Sequence, residues 1–414
     1  MDTTTNNYQG VLRINVLSSE ILIPIEGARI SVYDENGDAP ILLTTDISGE
    51  TSPLTLSAPN AELSQEPSDV LPYSLYNIRV EAEGYEPARI NGIQIFADSV
   101  AIQNVRLTPL ELAGGEEETE VDIPPHQLNY EYPAKIPEAE IKPMEETGEI
   151  VLSRVVIPEY IIVHDGAPSN TNAKNYWVRY KDYIKNVASC EIYSTWPEAT
   201  LYANILAIMS FTLNRVYTEW YRSRGYDFTI TSSTAYDQQW VYGHTIYSRI
   251  DRLVDSIFAN YLSRPGVRQP IFTSYCDGRN VSCRGLSQWG SKYLGDEGYS
   301  AIEILRYYYG SNMYINTADM ISGVPSSYPG YSLTIGSAGT KVRQLQSQLN
   351  RIADNFPAIP KISVDSIYGP KTANAVRTFQ GIFNLPRSGV TDYPTWYEIS
   401  EIYTGVTRIS EPGT

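Results

Sequence analysis

Cysteine is scarce: the 414 residues contain three, Cys190, Cys276 and Cys283. That number excludes a disulfide scaffold. Histidine is as rare, and His126, His164 and His244 are too scattered to give a metal-ligand spacing. No metal and no cofactor is expected. No run reaches the roughly 18 apolar residues that a membrane span needs. The opening "MDTTTNNYQG" has neither a basic nor an apolar signal region, so no classical signal peptide is read. Positive charge is short as well. Thirty-one Lys and Arg face 48 Asp and Glu, a net charge of −17, which argues against nucleic acid and anionic membranes as partners. Phenylalanine is depleted, 8 against 33 Tyr. Exposed Tyr can stack on sugar faces and hydrogen-bond through its hydroxyl.

What remains is a globular composition, 42% hydrophobic and 19% charged. The length predicts two to four domains. Residues 8–110 read as strands and turns. "VLRINVL" alternates with Leu12, Ile14 and Val16 on one face, and Asn36-Gly37 offers a hairpin turn. A β-sandwich is the expected solution. Residues 111–149 hold twelve acidic residues, two basic ones and five prolines. This composition predicts an extended acidic linker, exposed to proteases.

Residues 150–320 open with strands and become helical, an α+β pattern. In "STWPEATLYANILAIMSFTLNRVY" the spacing predicts a long helix, with Thr195 and Glu198 as a capping box and Pro197 in the first turn. Residues 332–404 carry further amphipathic helices, one starting at Pro370 and another near Pro394.

Three resemblances attach to these units. "IPIEGARISVYD", with "LLTTDISGETSPLTL" after it, resembles the Cna-B or carboxypeptidase-regulatory-like sandwich, in that family a spacer or adhesion module without catalysis and here read as a pro-domain. "VDSIYGPKTANAVRTFQ" (Val364 to Gln380), with Gly339, Val342, Leu345, Gln346 and Leu349 before it, resembles the peptidoglycan-binding type 1 domain, a three-helix module. That resemblance implies core positions at Leu345, Ile367, Val376 and Phe379, and wall contacts at Tyr368, Lys371 and Trp396. The stretches "DYIKNVASCEIYSTWPEATLYANILA", "STAYDQQWVYG" and "RGLSQWGSKYLGDEGYSAIEILRYYYG" resemble the SpoIID/LytB family of lytic transglycosylases. The order of modules is similar to that of the clostridial spore cortex-lytic enzymes. It implies a proenzyme of the extracytoplasmic cortex and coat region, cut by an activating protease in the linker, which degrades peptidoglycan.

In the resembling family the acid is the Glu of a Val-x-x-x-Glu motif, here Glu191. A glycosidic bond needs a proton on its leaving oxygen. A hydrolase brings a second carboxylate. A lytic transglycosylase lets the C6 hydroxyl of the muramic acid attack C1 within the same sugar, which yields 1,6-anhydro-muramic acid. One Glu then serves first as acid and then as base. Protonation near neutral pH requires apolar surroundings, which Val187, Ala188, Ile192 and Trp196 promise. Asp237, Gln239, Tyr242, Ser287, Gln288 and Trp196 are expected to line the cleft. His244 is read as a surface residue or a cleft-edge contact. Cys276 and Cys283 are read as a local bridge, with free thiols or a metal site as alternatives. Two further readings stand beside the transglycosylase. One is an inactive wall-binding scaffold. The other is a muramidase with Asp237 as the second carboxylate.

Overall fold

The computed structural model describes residues 8–19, 22–35, 37, 39–112, 118–126, 128, 133, 136–142, 154–324 and 327–407. Among its described residues the N-terminal unit has eight strands: β1 Gln9–Ser18, β2 Arg29–Asp34, β3 Ile41–Thr44, β4 Leu54–Ser57, β5 Tyr73–Glu81, β6 Ala88–Phe96, β7 Val100–Leu107 and β8 Thr119–Asp122. The alternation in β1 does what its period requires, and Leu12, Ile14 and Val16 are fully buried. β1 is flanked by β7, parallel from Val11↔Val100 to Ser18↔Leu107, and by antiparallel β4. The second sheet runs β3-β2-β5-β6-β8. β2 and β3 pair antiparallel; Asn36 of the expected turn lies outside the described residues.

The acidic segment departs from the expectation. Its described residues are built into the protein. β8 pairs in parallel with β6, and Ile123, His126 and Leu128 are buried. Gly92, at φ +81°, allows the crossing, because a Cβ there would lie 2.5 Å from the Ile123 carbonyl oxygen. Residues 136–142 then run across the central unit. Ile136 N–H donates to Ala235 O (2.9 Å), and Phe272 N–H donates to Glu140 O (2.9 Å). Glu138 and Glu140 make paired hydrogen bonds with Arg215 and Arg264. These contacts use backbone groups and charges, so no apolar period announces them. Residues 143–150, part of the region expected to be cut, lie outside the described residues.

The central unit contains α1 Tyr180–Glu191, α2 Glu198–Tyr217, α3 Ser248–Ile257, α4 Gln288–Asp296 and α5 Ala301–Tyr309. Beside them lies a small sheet of strands Asn175–Arg179, Tyr160–His164 and Ile230–Thr231. α2 is buried on every side and forms the middle of the core. The expected capping box is absent. Pro197 is the N-cap of α2, without a side-chain cap bond, and Thr195 Oγ1 donates instead to Ser64 Oγ at 2.8 Å. Tertiary contact with the N-terminal unit has taken the hydroxyl from the helix end.

The two units share a sheet. Strand Ile246–Tyr247 adds to β7, with Ile246 opposite Ile102. Around it Thr245 Oγ1 donates to Gln103 Oε1 (2.7 Å), and Gln103 Nε2 donates to Gly243 O (2.9 Å).

The C-terminal unit holds α6 Thr340–Asn355, α7 Pro370–Ile382 and α8 Tyr393–Thr407, which completes eight α-helices among the described residues. Leu345, Val376 and Phe379 are core, as the resemblance implies. Ile367 is not: it is 57% exposed, on a turn whose backbone amide bonds Asp365 Oδ1. The buried Gln346 explains the Gln of the motif, since it holds Asp365, Ile367 O and Ser366 N–H. α8 also faces the central unit. Lys181 on α1 pairs with Asp255, Glu398 and Glu401, and Lys185 with Asp251 and Asp255, all in the interior. No helix of the described residues is long and apolar enough to cross a membrane.

Candidate functional site

α1 ends at Glu191, and its C-cap residue Ile192 turns to extended backbone. The side chain is therefore delivered by the last turn of a helix packed against α2 and α3. Glu191 is 4% exposed. Val187, Ala188 and Ile192 around it are fully buried. Burial and the negative end of the helix both disfavour a charged carboxylate here. Three donors oppose them. Gln239 N–H reaches Glu191 Oε1 at 2.8 Å, and Gln288 Nε2 reaches Oε2 at 3.3 Å. The Tyr275 hydroxyl also bonds this carboxyl; burial first, then the Glu191 charge, pushes that phenol well above its ordinary value.

The loop 237–242 is fixed from behind. Asn186, one turn before Cys190 on α1, brackets Val241 by accepting from its N–H (3.1 Å) and donating to its carbonyl (2.8 Å). Gln238 is fully buried. It accepts from Tyr183 OH (3.0 Å) and Thr212 Oγ1 (2.8 Å) and donates to Ile208 O and Tyr275 OH. Sequence reasoning passed over Gln238, Tyr183, Tyr275 and Arg215. Gln238 lies in "DQQW" and Tyr275 in "SYC", while Tyr183 and Arg215 stand far from both in the sequence, and no spacing links the four.

The expected cleft residues divide. Gln239 and Gln288 meet Glu191, and Tyr242 is 46% exposed, its ring stacked on Tyr176. Asp237 does not line a cleft. It has no exposed surface, and it accepts from Arg215 Nε (2.7 Å), Tyr221 OH (2.6 Å), Thr231 N–H (2.9 Å) and Thr231 Oγ1 (2.7 Å). With its lone pairs so occupied, it has no place for a nucleophilic water. Trp196 is also interior; it packs on Trp289 and donates Nε1–H to Ser64 O at 2.8 Å. Ser287 is the cap of α4, accepting from Gly290 N–H at 2.9 Å. His244 is buried rather than at the surface, with Nδ1 2.7 Å from Thr245 O; its burial lowers the imidazole to about 4. Cys276 and Cys283 are joined by a disulfide, and Cys190 is free and buried. No group of three metal-ligating side chains occurs among the described residues.

In the C-terminal unit, Tyr368 and Trp396 are core side chains, 0% and 1% exposed, not wall contacts. Tyr368 OH donates to Gly389 O at 2.9 Å, so this ring ties the turn before α7 to the one before α8. Lys371 is at the surface.

Residues 338–399 match a peptidoglycan binding domain. No curated protein matches the chain. Solved structures give partial similarities. One is the TIE protein of Bacillus anthracis, at 17% identity and TM-score 0.18, covering 25% of this chain and 17% of that one. Another is the minor pilin of Streptococcus agalactiae, at 14% and 0.19, covering 27% and 48%. A third is catechol 1,2-dioxygenase of Acinetobacter radioresistens, at 14% and 0.19, covering 28% and 59%. The chain spans less than two thirds of each, and at such scores these similarities carry no argument.

Proposed function

We propose that the protein is a peptidoglycan lytic transglycosylase with Glu191 as its acid and base. The observation that carries the reading is the setting of Glu191. A carboxyl that first gives a proton and then takes one must be able to exist in both forms. Burial and the helix end favour the acid; the Gln239 amide and the Gln288 side chain favour the anion. In the first step the Glu191 proton passes to the glycosidic oxygen as that bond to C1 breaks. In the second, Glu191 takes the proton of the muramic C6 hydroxyl as its oxygen bonds C1. No water is consumed, and the saturated Asp237 leaves the hydrolytic variant without its second carboxylate.

The peptidoglycan-binding domain supports a wall polymer as substrate. The module order, similar to that of the clostridial cortex-lytic enzymes, supports spore cortex as the location and a protease-activated precursor as the form. The deciding experiment is product analysis on purified cortex with linker-cut protein. Anhydro-muramic ends are expected. Reducing muramic ends would mean hydrolysis, and no soluble fragments would mean a scaffold. In Glu191→Gln, fragment release is expected to fall by about 10²- to 10⁴-fold.

A further inference from the structure

The three donors on Glu191 come from two places. Gln239 arrives on the loop 237–242, which Asn186 of α1 fixes from behind. Tyr275 and Gln288 arrive together. Tyr275 lies on the strand Tyr275–Cys276, which pairs in parallel with the strand Leu286–Ser287, Tyr275 opposite Leu286 and Cys276 opposite Ser287. Gln288 is the next residue and the first of α4. Residues 277–285 are the whole connection between the two strands. A parallel pair ordinarily needs a crossover of about a dozen residues or more, and a ladder this short holds weakly by itself. The Cys276–Cys283 disulfide closes the crossover. It ties the residue after Tyr275 to the arm that leads into Leu286. Inside the loop it has one helper. Asp277, fully buried, accepts from the Asn280 and Val281 N–H groups, and its carbonyl accepts from Trp289 N–H at 3.1 Å. Outside, Gly278, Arg279, Asn280 and Ser282 face water and Cys283 is half-buried, so a small thiol can reach the bond.

We propose that this disulfide positions two of the three donors on Glu191, and that a dithiol reductant switches the site off by opening it. The inference rests on the reading of Glu191 as acid and base. In the reduction, a thiolate of the dithiol attacks Cys283 Sγ. The S–S bond breaks, and Cys276 leaves as a thiolate that takes up a proton. The second thiol of the reductant, after losing its own proton, displaces Cys283 Sγ, which takes up a proton in turn. Two electrons pass to the protein, and the reductant ends as a disulfide. The crossover 277–285 is then free to open. Tyr275 OH and Gln288 Nε2 lose their fixed place at the carboxyl. Only the Gln239 amide is left to favour the anion on which the second step depends.

Dithiothreitol is the probe, added to full-length protein for hydrogen exchange and to linker-cut protein for fragment release from cortex. Reduction is expected to speed exchange in peptides covering residues 274–290 by about tenfold or more, and to leave those covering 236–243 unmoved. Fragment release is expected to fall about ten- to hundredfold, the worth of one hydrogen bond to a charged group. Cys276→Ser together with Cys283→Ser should match the reduced protein and ignore the reductant. Where that variant folds poorly, reduction of the unaltered protein decides by itself. Tyr275→Phe together with Gln288→Met removes both donors. If the disulfide acts through them, reducing this variant costs nothing further, whereas a merely structural bond costs the same factor in both backgrounds. Unchanged exchange in 274–290, undiminished release after reduction, or an equal loss in the variant without the two donors overturns the proposal. If exchange responds while the oxidised protein releases no fragments, the transglycosylase reading fails and the hold of the disulfide on its loop stands. Release that continues at full rate in the reduced protein overturns the positioning role and leaves the transglycosylase reading in place.

Discussion

Asp237→Asn separates a structural carboxylate from a catalytic one. Asp237 Oδ1 takes the Arg215 Nε–H, and Oδ2 takes three donors from Tyr221 and Thr231. An Asn can keep only one of these oxygens. With its oxygen on the three-donor side, its NH₂ faces the guanidinium, donor against donor. Turned the other way, it opposes three donors at once. Arg215 would retain Glu138, which binds Nη1 and Nη2 at 2.8 and 2.6 Å, so its charge stays half compensated. Removing one member of a buried pair costs about 3–5 kcal/mol, and this one is fully buried on both sides. We expect a loss of stability of that size. Urea unfolding followed by tryptophan fluorescence reads it, because Trp220 lies 4.8 Å from the Arg215 guanidinium. At temperatures where the variant is folded, anhydro-muramic products should persist. Wild-type stability together with abolished fragment release would refute the structural role and restore Asp237 to the chemistry.

Glu191→Gln should behave in the opposite way, keeping its unfolding midpoint while fragment release from cortex falls. Trp196→Phe removes the bond to Ser64 O, and about 1 kcal/mol of stability should go with it; KM on soluble glycan should stay put, and a rise would place Trp196 in the cleft. Acid should weaken the fold through two histidines. Burial first, then the nearby His244 charge, lowers His126 to about 3, and burial lowers His244 to about 4. The unfolded chain therefore takes up these protons first, near 6.5, so stability is complete above that pH and declines as pH falls from about 6.5 toward 4 and 3. Denaturation midpoints between pH 7.5 and 4 measure this slope, and a His126→Leu variant should flatten it. Deleting residues after 332 should cost more than wall affinity, because Lys181 loses Glu398 and Glu401 in a buried setting. A truncated protein as stable as the intact one would show that the α8 contact contributes nothing.

The sequence was legible where burial follows a period. The alternation of β1 and the helical spacing of apolar residues in α2 predicted their elements because side-chain packing decides them. It failed where polar contacts replace packing. The acidic segment looked like a linker because Glu138, Glu140 and Lys142 are bound by Arg215, Arg264 and Gln269, residues up to 127 positions distant in sequence. Thr195 read as a cap because a capping box is a local pattern, whereas the competing Ser64 is 131 residues away. Tyr368 and Trp396 read as ligand contacts because aromatic residues look alike on paper whether they fill a core or line a surface. At the site, the burial of Glu191 was legible from its apolar neighbours and its support was not. The Tyr183–Gln238–Tyr275 network joins three elements by side-chain bonds with no fixed spacing.

The acidic segment also changes what a cut within it can do. Before the cut, Glu138 sits on Arg215, Arg215 sits on Asp237, and Asp237 begins the loop whose Gln239 amide binds Glu191. The sandwich side is anchored separately, through the shared strand at Ile246–Tyr247 and the Trp196–Ser64 bond. Breaking one peptide bond removes none of these contacts. It removes only the chain connection that holds them at high effective concentration. A cut therefore frees the segment no faster than its buried ion pairs open. Activity after proteolysis should then lag behind cleavage seen on a gel. The lag should shorten in Glu138→Gln, where the tie to Arg215 is weakened. Time courses of cleavage and of fragment release, run on the same samples, test this. Simultaneous curves in both proteins would mean that residues 136–142 hold nothing back.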